Sequence, residues 1–146
     1  MSQINAYTTI RENKEIIYDL LKNLEKFPTF VHDIKSIRII RRQRNVLITE
    51  WMITIDGVDV IWTEEDTFVD QDTKIKFRML EGDYDSYEGE WTIEDTPTGV
   101  RLRLFANIDW GAPRLVRYVK PILERKTRQA FKTFLMAIKK EIERKR

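Results

Sequence analysis

The residues of this chain best suited to proton chemistry are two carboxylates in one short run. In VIWTEEDTFV, residues 60–69, strand alternation places Trp62, Glu64, Asp66 and Phe68 on one face and Ile61, Thr63, Glu65 and Thr67 on the other. Trp62 and Phe68 mark the first face as inward, so Glu64 and Asp66 would face the concave side with their Cα atoms about 7 Å apart. Buried carboxyls near one another raise each other's pKa, which suits them to general acid–base work. The plainer alternative is that both sit wet at a mouth, or pair with Arg or Lys from a helix. His32 is the sole histidine, which leaves a Ser-His-Asp triad or a His-based metal cluster almost nothing to build on. No Gly-rich phosphate loop, dinucleotide fingerprint or metal-spaced carboxylate cluster occurs, so no cofactor and no metal is expected.

A second stretch, EGDYDSYEGEW at residues 81–91, sorts Tyr87, Gly89, Trp91 and Ile93 onto the inner face and Glu88, Glu90, Thr92 and Glu94 onto the outer. Gly89 between two rings either leaves a vacancy for a ligand or marks a bulge or tight curvature, and both readings stand. Trp51, Ile53 and Ile55 form a comparable inward row, as do Ile75, Phe77 and Met79. Tryptophan is core more often than ligand platform, but its buried N–H wants a partner.

The elements that must position these residues read as follows. Residues 3 to 10 alternate and form a first strand. Asn13 caps a helix whose face is Ile16, Ile17, Leu20, Leu21 and Leu24 and which ends near Glu25. Pro28 disfavours helical geometry at Phe27, so a break and a short second helix are expected there. From Ile34 to Trp110 the pattern is nearly all strand, with turns at residues 42–45, 56–57, 70–73, 81–83 and 96–99. Asp56-Gly57 signals a two-residue type I′ hairpin. After Gly111-Ala112-Pro113 the period becomes helical: Leu115, Val119, Ile122, Leu123, Thr127, Ala130, Phe131, Phe134, Leu135, Ile138 and Ile142 share a stripe, with a kink or restart at Pro121. One α+β domain over residues 1–146 follows, its curved antiparallel sheet wrapped around a long carboxy-terminal helix, with two short helices after the first strand. A gap between sheet and helix would be a pocket.

The totals narrow the partners. With 26 basic and 24 acidic residues the net charge is +2, and no one-sign field points to nucleic acid. No cysteine means no disulfide and no thiol chemistry, which suits a reducing, cytoplasmic setting. The amino terminus lacks a signal-peptide core and no apolar run reaches the roughly 18 residues of a membrane span. The basic end from Lys139 to Arg146 admits transient membrane contact, diluted by Glu141 and Glu143.

Taken together, these residues resemble the polyketide cyclase/dehydrase group, coenzyme Q-binding proteins included, within the START-like or SRPBCC superfamily. The resemblance covers essentially the whole chain. It is carried by Phe27-Pro28, by VIWTEED at 60–66, by Gly82-Asp-Tyr-Asp-Ser-Tyr-Glu-Gly-Glu-Trp91, similar to the family's G-x-F-x-x-L-x-G-x-W, and by the terminal amphipathic helix. It implies a helix-grip fold around an elongated apolar cavity that takes a lipid, quinone or polyketide. In that reading Trp51, Trp62, Phe77, Tyr87, Gly89, Trp91, Leu123, Thr127 and Phe131 bind the ligand, and Glu64 and Asp66 orient its polar end. The family's cyclases suggest an alternative, a cyclase or dehydratase in which Glu64 and Asp66 are catalytic. Trp62 and Trp91 match cavity aromatics of those cyclases, whereas their cavity arginine falls near Asp66, where this chain departs from them. A third alternative is a ligand-free interaction module, a homodimer formed through strand edges.

Overall fold

The structure, a computed structural model, describes residues 2–55, 57–111 and 113–144; over 113–118 it describes the backbone only. Seven strands, β1 (Ser2–Ile10), β2 (Ile34–Gln43), β3 (Val46–Ile55), β4 (Val58–Val69), β5 (Lys74–Gly82), β6 (Ser86–Thr96) and β7 (Gly99–Asp109), form one antiparallel sheet in the order β1-β7-β6-β5-β4-β3-β2. β2 to β7 are a meander, each strand paired with the next. β1 lies at one edge and β2 at the other, so the chain between them must cross the sheet. Helix α1 (Lys14–Lys22) and a 3-10 turn (Leu24–Thr29) make that crossing.

Asn13 caps α1 as its type predicts, Oδ1 accepting from the Ile16 N–H at 3.0 Å. Ile17, Tyr18 and Leu21 are buried, while Ile16, expected on the same face, is exposed. The break comes earlier than expected, at Asn23 (φ −95°, ψ 61°), and Pro28 lies inside the following 3-10 turn instead of ending a helix at Phe27. The tighter turn tolerates the ring and drives Phe27 fully into the core. Tyr18 donates to Asp70 Oδ1 at 2.8 Å, tying α1 to the β4–β5 turn.

β3 and β4 are joined by a two-residue loop, with Ile55 paired to Val58 and Gly57 at φ +82°, the left-handed geometry such a hairpin needs. Asp56, its other member, lies outside the described residues. Register shifts interrupt β2 twice and the β4–β5 pairing once, beside Thr63 and Glu64, and such irregularities bend a sheet.

Helix α2 (Pro113–Arg144) runs unbroken through Pro121 and rests mainly against β1, touching β3 and β7. Its buried stripe is Thr127, Phe131, Leu135, Ile138 and Ile142, at steps of three and four. Val119 and Ile122, expected in that stripe, are exposed. The Leu115 side chain is outside the described residues. Ser2 Oγ donates to Glu124 at 2.5 Å and pins the start of β1 to α2. Among the described residues no helix is long and apolar enough to cross a membrane.

Candidate functional site

A chamber lies between the sheet and the middle of α2. Its wall includes Trp51, Trp62, Phe77, Tyr84, Tyr87 and Trp91 from the sheet side and Thr127, Phe131 and Phe134 from α2, with Leu24 and Val31 of the crossing segment closing an end. Alternation sets which side chains point in. On β4 this gives Trp62, Glu64, Asp66 and Phe68, all buried, as their spacing predicts.

The rings form a connected set. Trp51 and Trp62 are direct cross-strand partners and stack at 5.6 Å between centroids and 13° between planes. Trp62 also meets Tyr87 at 5.5 Å, and Tyr87 stacks on Phe77 at 5.1 Å and on Tyr84 at 5.6 Å. Phe134 of α2 closes the set edge-on against Trp91 at 5.1 Å and Phe27 at 5.2 Å.

Glu64 and Asp66 are 3% and 2% exposed. Neither is wet at a mouth, and none of the ion pairs among the described residues involves either, which removes the plainer alternative for them. Their donors are neutral. Trp62 Nε1 donates to Glu64 Oε1 at 2.7 Å, and Thr49 Oγ1 donates to Asp66 Oδ2 at 2.7 Å while accepting from Trp51 Nε1 at 2.9 Å. The stacked tryptophans thus each address one carboxyl, one directly and one through Thr49. Burial pushes the Glu64 carboxyl well above the usual carboxylate range, and Asp66 beside it pushes the same way. Asp66 is raised too, chiefly by burial, against the hydrogen bonds from Glu64 and Thr49. A Glu64–Asp66 hydrogen bond requires that at least one of them hold a proton, and burial favours the protonated form of both. Burial also raises Tyr87 far above its ordinary value, with Glu64 adding to the effect, and Tyr84 to about 12.

The chamber leaves about 70 Å³ free, room for a handful of waters at roughly 10–15 Å³ each. A second space of about 370 Å³ adjoins it, lined by Val58, Val60, Trp110 and Leu123. Ile55, Tyr84 and Thr127 border both spaces.

Of the residues singled out from sequence, Trp51, Trp62, Phe77, Tyr87, Trp91, Thr127 and Phe131 line the chamber together with both carboxyls. Leu123 does not, and lines the outer space instead. Gly89 lies off the chamber wall as well. A Cβ there would fall 1.9 Å from the Phe105 carbonyl oxygen and 2.8 Å from Ala106 Cα, so glycine is needed where β6 presses on the β7 backbone, and it is that backbone which takes the space a side chain would fill. Thr49 and Tyr84 went unremarked in the sequence. Thr49 shares the inward parity of Leu47 and Trp51, a lone hydroxyl in an apolar row that could have been noticed. Tyr84 sits in the connection after β5, where alternation gives no direction. Among the described residues no cluster of His, Cys, Asp or Glu could hold a metal ion.

Comparison with known proteins fits this geometry. The sequence model of the family described as polyketide cyclase/dehydrase and lipid transport matches residues 14–135. The chain belongs to that family. Similar solved structures include a Thermus thermophilus protein (22% identity, 95% of each chain covered, TM-score 0.90). An aromatase/cyclase from a Streptomyces species is 15% identical, with 98% of this chain and 94% of that one covered, at a TM-score of 0.89. A START superfamily protein from Mycobacterium smegmatis is 14% identical over 99% of both chains, at a TM-score of 0.84. At these identities the likeness is one of fold, and the fold is the START-like helix grip. A search of curated proteins by sequence finds no match.

Proposed function

We propose that the chain binds a small hydrophobic molecule, of lipid, quinone or polyketide kind, between the sheet and α2. The observation that carries this is a ring-walled chamber with two buried carboxyls on its wall and a larger apolar space beside it. Apolar area removed from water at roughly 25 cal/mol per Å² supplies affinity, less the cost of ordering the ligand. The free 70 Å³ is well below the roughly 300 Å³ and more of a typical ligand pocket, so a guest must displace rings or use the outer space. Tyr84, Ile55 and Thr127 are the side chains that would move. The absence of cysteine suits a cytoplasmic carrier. Native mass spectrometry of the purified protein tests the reading. A co-purified apolar small molecule supports it; a bare mass, with no response to a lipid and quinone panel, ends it.

The carboxyl pair favours one second reading, a cyclase or dehydratase. Two buried carboxyls side by side, both raised above the usual range, could pass a proton as acid and base in one water-poor site. With a true substrate in hand, Glu64→Gln and Asp66→Asn would each cut turnover at least about a hundred-fold. Unchanged turnover in both would exclude that mechanism.

A further inference from the structure

The charged side chains on the chamber wall are all of one sign. Among the described residues they are the buried Glu64 and Asp66 and the exposed Asp33, with no Lys or Arg on that wall; Asp83 and Lys126 line the adjoining space. Composition does not explain this, since the whole chain carries slightly more basic residues than acidic ones. Nor does partial wetting, since Glu64 and Asp66 are almost wholly buried. Their hydrogen-bond donors, an indole N–H and a hydroxyl, are neutral and supply no counter-charge to an ionised carboxyl. A buried charge without a counter-charge is costly, so a cation entering the chamber is what would let these carboxyls ionise there. Trp51, Trp62, Tyr84 and Tyr87 surround the same space, and the faces of such rings attract cations; here they stack on one another, so a face of Tyr87 is offered only when Tyr84 moves aside. The free volume suits a small head group, and the adjoining space beyond Tyr84 suits an apolar body against Val58, Val60, Trp110 and Leu123.

Building on the reading that the chamber binds a hydrophobic molecule, we propose that this molecule carries a cationic nitrogen. Its protonated amine or quaternary ammonium lies against Glu64, Asp66 and the rings of Trp62 and Tyr87, and its apolar body passes Tyr84 into the outer space. A carboxylate head would be an anion out of water with no cation on the wall to meet it. A hydroxyl head would exchange a hydrogen bond with either carboxyl but supply no counter-charge.

Isothermal titration at pH 7 with decylamine, decyltrimethylammonium, decanol and decanoate tests this. Both cations are expected to bind at least about ten-fold tighter than decanol, with decanoate weakest. The double substitution Glu64→Gln with Asp66→Asn is expected to bring decylamine to within about three-fold of decanol. Equal binding of decylamine and decanol by the native chain, or a preference surviving both substitutions, overturns the cation assignment and leaves hydrophobic binding standing. Failure of all four probes, with no co-purified molecule by native mass spectrometry, overturns both. Thermal melting followed by circular dichroism confirms that the double variant is folded; should it not be, the ranking of probes on the native chain decides.

Discussion

Glu64 and Glu65 are neighbours in β4, yet one strand pleat gives them opposite electrostatics. Glu65 points outward, where Arg78 Nε lies 3.1 Å from its Oε1, one of several cross-strand pairs on that face that include Lys74 with Glu90 and Arg101 with Glu94. Glu64 points inward, with an indole N–H and a second carboxyl for company. The outer face balances its charges with cations that water also screens. The inner face holds charge down with a proton. The same residue type in adjacent positions is therefore unremarkable on one face and a candidate reactive group on the other.

Breaking the inner face at its largest ring should have the largest effect. Trp62→Ala removes the stack on Trp51 and the donor to Glu64, and should cost about 3–5 kcal/mol in urea unfolding. Next comes Gly89→Ala, where the two faces share one backbone: the added methyl meets the Phe105 carbonyl, and about 1–3 kcal/mol of destabilisation is expected by the same measurement.

The carboxyl pair should show in the pH dependence of stability. Unfolded carboxyls lose their protons near pH 4, whereas the folded pair keeps its protons longer. The folded chain then binds more protons than the unfolded one, and this contribution to stability falls as pH rises from about 4 through the folded pKa of the pair. Glu64→Gln should flatten that fall and raise the melting temperature at pH 8, by on the order of 1 kcal/mol in stability. A melting profile unchanged by the substitution would mean that Glu64 is not held protonated. The smallest effect belongs to the outer face, where Glu65→Gln should cost under about 1 kcal/mol and lose even that in high salt.

Alternation made much of this legible. The inward set on β4 follows from Trp62 and Phe68 alone, and the β3–β4 hairpin from a two-residue loop ending in Gly57. What local pattern could not give was tertiary. Val119 and Ile122 have helical spacing yet are exposed, and spacing does not say which turns of a helix are covered. Pro28 looked like a helix stop because the sequence does not distinguish an α-helix from a 3-10 turn. Glycine at position 89 was ambiguous until the distance to β7 settled it. The free volume was beyond sequence altogether, since it is the small remainder after about ten large side chains have filled the space between helix and sheet.

The residue Tyr84 sits in a short connection held at both flanks. Asp83 bonds to Ile61 through its N–H at 3.1 Å and its carboxylate at 2.9 Å, and the Asp85 N–H reaches the Asp109 carbonyl at 2.8 Å. The backbone there is thus tied down, while the phenol it carries borders both spaces together with Ile55 and Thr127 and stacks on Tyr87. Enlarging the chamber on this side would ask those side chains, and not the strands, to give way first.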